Sequence, residues 1–125
     1  MKLNLETIIL FVRDVDKLKH FYVDILNLEI AEEANSDWLL LKAGNSNIGL
    51  HKIGEAYRDI NKVNIKYHSN AKIVFEIDED IHEVRKYLIE KKVMIREIKT
   101  FDNYGYWLCD GEDTEGNVFQ LKQKK

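Results

Sequence analysis

Apolar residues recur along the chain in two rhythms. Residues 5–12 are β-branched and apolar and predict a strand. Arg13-Asp14-Val15-Asp16 then offers N-cap residues ahead of Leu18, Phe21, Tyr22, Ile25 and Leu26, whose i, i+3, i+4, i+7, i+8 spacing predicts a helix that Asn27 can close. Glu29 to Ala31, Asp37 to Lys42 and Asn47 to Lys52 read as three short strands separated by Asn, Ser and Gly clusters. The first half is therefore βαβββ.

The second half repeats the order. Lys72 to Ile77 reads as a strand, Asp78 or Asp80 as a cap, and Ile81, Val84, Tyr87 and Leu88 as a helical stripe. Strands follow at roughly Val93 to Lys99, Tyr104 to Glu112 and Asn117 to Gln123, with Asp113-Thr114-Glu115-Gly116 as the last turn. Thr7-Ile8-Ile9-Leu10-Phe11 overlays on Lys72-Ile73-Val74-Phe75-Glu76, about half a chain away, so the pattern is an internal repeat. The polar, mixed stretch 53–70, with Tyr57, Tyr67 and His68, reads as the inter-repeat linker and as a surface loop.

Composition bounds what such a repeat can do. At 125 residues there is room for one domain, and 45% hydrophobic with 33% charged residues describes a chain able to bury an ordinary core. The net charge of -3 is spread along the chain and offers no basic patch for nucleic acid. The single cysteine, Cys109, excludes an internal disulfide and a Cys-rich zinc site and reads as a reducing compartment. Thr7 to Val12 is too short an apolar run for a membrane span, and nothing like a signal cleavage region follows it, so a cytoplasmic protein without membrane partners is expected. There is no proline, which leaves the turns to Gly, Asn, Asp and Ser.

The duplicated βαβββ pattern, Phe11-Val12-Arg13-Asp14 leading into Phe21-Tyr22, and the closing Asp113-Thr114-Glu115-Gly116-Asn117-Val118-Phe119-Gln120-Leu121 together resemble the vicinal oxygen chelate superfamily. This group includes glyoxalase I, bleomycin-resistance proteins, extradiol dioxygenases and fosfomycin-resistance enzymes. The resemblance spans nearly the whole chain, with Thr114 where the closing motif usually has proline. It implies an α+β fold: two tandem βαβββ units forming a half-open curled sheet around a cavity, helices outside. A single domain over 1–125 is expected, with unit one at about 1–52, the linker at about 53–70 and unit two at about 71–125. It also implies a homodimer.

Strand alternation nominates the side chains facing such a cavity. Thr7, Ile9 and Phe11 face inward from the first strand, and Lys72, Val74 and Glu76 from its counterpart. Trp38, Leu40, Lys42 and His51 are the other inward candidates of the first unit, and Tyr104, Tyr106, Leu108, Asp110 and Gln120 those of the second, leaving Trp107 and Cys109 against the helices. Apolar walls with a few orienting polar groups describe a ligand pocket, although Trp38 and the tyrosines would equally serve as barrel core.

Catalytic members of the superfamily bind a divalent metal through first-strand and last-strand residues, and the resemblance carries those positions to Thr7, Gly49, Lys72 and Gln120. Thr7 is a weak neutral ligand, Gly49 has no side chain and Lys72 is a cation, leaving Gln120 and, on the neighbouring position, His51. Two unit charges about 4 Å apart repel by roughly 4 kcal/mol at an effective dielectric of 20, so no metal and no other cofactor is expected. Lys72 then either meets an anionic group of a ligand, or pairs with Glu76 or Asp110, or extends its ammonium to water.

Two functions follow from this set. One is a metal-independent small-molecule-binding protein like the bleomycin-resistance branch, sequestering a drug or planar metabolite, though Lys72 disfavours cationic bleomycin itself. The other is a glyoxalase-like lyase or isomerase with His51, Glu76 or Asp110 as base and Lys72 as electrophile. A regulatory protein whose cavity is filled by side chains is a third possibility. His20, His68 and His82 read as surface residues and Cys109 as a buried, inert thiol.

Overall fold

Both predicted strand-to-helix junctions carry an aspartate cap. In the computed structural model, which describes residues 1–2, 4–54 and 71–125, Asp14 Oδ1 accepts the Lys17 N–H at 3.0 Å and Asp80 Oδ1 accepts the His82 N–H at 2.8 Å. The chain divides into two compact units, Met1–Ile65 and Lys66–Lys125. Tyr57, Tyr67 and His68 lie outside the described residues.

The first unit runs β1 (Thr7–Val12), α1 (Val15–Lys19), β2 (Glu29–Ala34), β3 (Trp38–Ala43) and β4 (Ser46–Lys52). After α1 the chain continues as a π-helical stretch, His20–Ile25, in which the Leu26 N–H reaches back five residues to the Phe21 carbonyl. Simple 3.6-residue spacing does not foresee that widened turn. Asn27 closes it in the left-handed conformation, φ 61°, as the sequence predicts. The strands order as β1-β4-β3-β2, with β1 parallel to β4 and the other pairs antiparallel. Val15, Leu18, Phe21, Tyr22 and Ile25 bury one stripe of the helical segment, while Leu39, Leu41, Ile48 and Leu50 are the buried alternate residues of β3 and β4.

The second unit repeats this with β5 (Ile73–Ile77), α2 (Ile81–Glu90), β6 (Met94–Ile95), β7 (Tyr106–Glu112) and β8 (Val118–Lys124). Its order is β5-β8-β7-β6, again with the first strand parallel to the last. Ile81 and Leu88 of α2 and Cys109, Phe119 and Leu121 of the sheet are buried. The unit is therefore a second βαβββ element, and the two together are the α+β fold predicted.

The strand expected over Glu29 to Ala31 runs on to Ala34, and in the second unit two boundaries move by two residues or more. The strand expected over Val93 to Lys99 is cut to Met94–Ile95, because between the Ile95–Gly111 and Lys99–Leu108 pairs one chain advances four residues and the other three. That extra residue is a bulge, and it reverses which face the residues after it occupy. Tyr104, expected to open the next strand, instead lies in a turn where its N–H donates to the Phe101 carbonyl and Asn103 has φ 61°.

The closing motif explains itself locally. Asp113 Oδ1 accepts the N–H groups of Glu115 and Asn117 at 2.8 and 2.9 Å, and Oδ2 accepts Asn117 Nδ2 at 2.8 Å. Gly116 supplies the left-handed residue, φ 84°. The turn is held by the aspartate and the glycine, which is why threonine at 114 is compatible with it.

Candidate functional site

On the first sheet, strand register puts Phe11, His51 and Trp38 side by side across β1, β4 and β3. Their rings follow suit, with centroids 5.6 Å apart for Phe11–His51 and 6.0 Å for Trp38–His51, both edge-on. The next row is Ile9, Gly49 and Leu40. A Cβ at Gly49 would stand 2.6 Å from Trp38 Cη2 and 3.2 Å from Ile9 Cγ1, so the absent side chain is what lets the indole lie down on the strand. Phe11 and Ile9 are 70% and 46% exposed. Thr7, one row further on this face, donates its hydroxyl to Glu6 Oε2 at 2.9 Å, and the Lys42 ammonium reaches Glu29 Oε1 at 3.5 Å.

The equivalent face of the second sheet is polar. Its rows are Asp110, Gln120 and Val74, then Leu108, Lys122 and Glu76. Asp110 is a buried carboxylate with both oxygens engaged: Lys72 Nζ donates to Oδ2 at 3.0 Å, Gln120 Nε2 donates to Oδ1 at 2.8 Å, and the Lys99 ammonium stands 3.6 Å from Oδ2 as an ion pair. Burial by itself raises this carboxyl, but the hydrogen bonds from Lys72 and Gln120 and the charges of Lys72 and Lys99 outweigh it and hold Asp110 below the usual carboxylate range.

Aromatic residues continue from this cluster through Tyr106 of β7 into the turn before it. Lys122 Nζ lies 4.1 Å above the Tyr106 ring, and the Tyr106, Tyr104 and Phe101 rings follow at centroid spacings of 5.6 and 6.1 Å. Trp107, by contrast, meets His82 of α2 at 5.9 Å, and the buried Cys109 thiol donates to the Arg96 carbonyl. Burial pushes that thiol up, which makes it a poor nucleophile.

Within each unit the candidate residues form an arrangement of their own. Trp38 and His51 meet Phe11 in the first, with Leu40 beside Gly49. Lys72, Asp110 and Gln120 form one network in the second, with Tyr106 and Leu108 on the same strand face. Lys72 is thereby paired with a protein carboxylate, one of the alternatives its position left open. Asp110 is unsuited to the role of general base suggested for it, since its oxygens already accept and its proton affinity is lowered. Glu76 is exposed on β5. Lys99 was not foreseen: strict alternation from Met94 puts it on the opposite face, and only the bulge brings it to Asp110.

A divalent metal does not fit the residues at the positions the resemblance indicates. Gly49 contributes no donor and its side-chain space holds the Trp38 ring; Lys72 is an ammonium bound to Asp110; and Gln120, whose Nε2 donates to that same carboxylate, brings one neutral amide oxygen beside that ammonium. No group of three or more His, Cys, Asp or Glu residues placed to hold a metal ion occurs among the described residues. No described helix is long and apolar enough to cross a membrane.

The sequence profile of the glyoxalase/bleomycin resistance protein/dioxygenase superfamily matches residues 4–121. No curated protein matches the chain by sequence. Among solved structures, the chain is similar to an antibiotic-binding protein from a Streptomyces species, at a TM-score of 0.74 and 18% identity, covering 99% of this chain and 98% of that one. It is similar to a genomically encoded fosfomycin resistance protein from Listeria monocytogenes, at 0.73 and 16%, covering 100% and 94%. It is also similar to a lactoylglutathione lyase from Agrobacterium tumefaciens, at 0.73 and 18%, covering 96% and 92%. At these identities the likeness is one of fold.

Proposed function

Because the chain belongs to the glyoxalase/bleomycin resistance protein/dioxygenase superfamily, we propose that it binds a planar organic small molecule and does so without a metal ion. The observation that carries the reading is the Lys72–Asp110–Gln120 network. Where the superfamily resemblance indicates metal ligands, this chain has an ammonium already compensated by a buried carboxylate. A divalent cation added there would meet the Lys72 charge and compete with Lys72 and Gln120 for the carboxylate oxygens. Binding is supported by aromatic surface: the exposed Phe11 and His51 with the half-buried Trp38 on the first sheet, and the half-buried Tyr104–Tyr106 pair of the second unit, stand next to hydrogen-bonding groups. One antibiotic-binding protein shares the fold.

The alternative, a glyoxalase-like lyase or isomerase, has less support. It requires a base in reach of a polarised C–H, and Asp110 has a lowered proton affinity with both oxygens already accepting hydrogen bonds. His51 and Glu76 are the remaining candidates. A homodimer belongs to the same reading, since β1 ends its sheet and leaves Phe11 and Ile9 largely uncovered; solution mass measurement checks it.

The test is a thermal-shift series on the purified protein grown in metal-replete medium, with metal content measured in parallel. Planar aromatic compounds should raise the unfolding midpoint, because a ligand that binds only the native state stabilises it. Manganese, nickel and zinc should not. One equivalent of divalent metal that is lost on Gln120→Ala would overturn the reading.

A further inference from the structure

The charge balance around Asp110 narrows the ligand class, and this step rests on the binding reading above. Two ammonium groups address one oxygen: Lys72 Nζ at 3.0 Å and Lys99 Nζ at 3.6 Å from Oδ2. One carboxylate neutralises one of them, so the cluster carries a net positive charge. That charge is not sited where the carboxylate is. The Asp110 side chain is 9% exposed, whereas those of Lys72 and Lys99 are 39% and 48% exposed. The negative group is at the floor and the two positive groups stand at the surface, each with N–H donors left over after Asp110 is served.

Beyond the lysines lie a buried leucine and a half-buried tyrosine. Leu108 is the register partner of both Lys99 and Lys122, and Tyr106, two residues further along β7, lies under the Lys122 ammonium. From Asp110 to Tyr106 is four residues of extended chain, about 13 Å. Glu76, in register with Lys122, and Glu112, on the face of Asp110 and paired with Arg96, are the further acids on this face among the described residues. We infer that Lys72 and Lys99 together receive the carboxylate of a planar aromatic acid whose ring body extends toward the half-buried Tyr106. The acid supplies the charge that Asp110 leaves uncompensated, and its ring body meets the Tyr106 ring beside Lys122.

The probes are 2-naphthoate, the neutral 2-naphthamide and the cationic 2-naphthylmethylamine, titrated calorimetrically into the full chain. A charge-assisted hydrogen bond of about 1.5–3 kcal/mol corresponds to tenfold or more, so naphthoate should bind at least about tenfold tighter than the amide, with the amine weakest. Lys72→Gln and Lys99→Gln should each reduce that preference severalfold, Lys99→Arg should keep it, and added salt should weaken naphthoate but not the amide. Lys99 is exposed enough that its variants should retain the wild-type unfolding midpoint. Equal affinity for acid and amide, or an acid preference unchanged in both glutamine variants, overturns this inference and leaves planar-ligand binding standing. Failure of all three probes to bind at millimolar concentration overturns both.

Discussion

The Trp38 indole occupies the place that a side chain at Gly49 would take, with Cη2 2.6 Å from an ideal Cβ there. The contact is with the outer edge of a ring that is only partly buried, so it can yield. Gly49→Ala is expected to swing the indole off the strand at a stability loss of about 1 kcal/mol, the low end for overpacking. A shifted tryptophan emission with a small change in urea midpoint is the expected signature; a loss above about 3 kcal/mol would mean that the strand, not the ring, gives way.

Gly111 is the contrasting case. A Cβ there would meet the Phe119 ring at 2.5 and 2.8 Å and the Met94 carbonyl oxygen at 3.1 Å, and Phe119 is fully buried. Neither neighbour can move freely. Gly111→Ala should lose about 2–3 kcal/mol in equilibrium urea unfolding, more than Gly49→Ala.

Asp110 should leave a mark on the acid limb of stability. Its folded-state carboxyl is held below the ordinary value of 3.8, so it contributes stability above that pH and the contribution is lost as pH falls through the lower folded value. Asp110→Asn should therefore flatten the fall in stability below about pH 4. At neutral pH it should lose about 1–2 kcal/mol, moderated because its lysine partners are partly solvated. Identical acid limbs for the two proteins would contradict the assigned ionisation.

Asp113 accepts two backbone N–H groups and one side-chain amide in the last turn. Asp113→Ala removes those acceptors and should destabilise by about 2 kcal/mol, with Asp113→Asn falling between. Thermal unfolding of the three proteins orders them.

Lys92 follows α2 with φ 62°, and the Val93 N–H returns to the Leu88 carbonyl in the Schellman pattern. A Cβ is unfavourable in that conformation. Lys92→Gly should gain about 0.5–1 kcal/mol, visible as a raised urea midpoint with an unchanged slope.

Much of the fold was legible because its signals are local. Apolar spacing from Leu18 to Leu26 and from Ile81 to Leu88 announced the helices, Asp14 and Asp80 their starts, and alternation along β7 and β8 which residues share a face. Absence of proline was met mostly as expected, with Asn27, Asn35, Asn103, Gly44 and Gly116 taking the left-handed positions; Lys92 was the exception. The π-helical turn after α1 and the bulge before Lys99 were not legible, since each shifts the register by about one residue without altering the apolar pattern around it.

The sequence by itself determined the duplicated βαβββ order, the superfamily resemblance and the weakness of Thr7, Gly49 and Lys72 as metal ligands, because these depend on residue type and period. Tertiary structure decided what those residues do instead. Whether Lys72 met a carboxylate, and which one, depended on strand register between β7 and β8 and on the position of a lysine before β5. That Lys99 joined it depended on a bulge, and that Trp38 lay flat depended on a cross-strand glycine. Such pairings are set by hydrogen-bond register between segments distant in the chain, which local spacing does not encode.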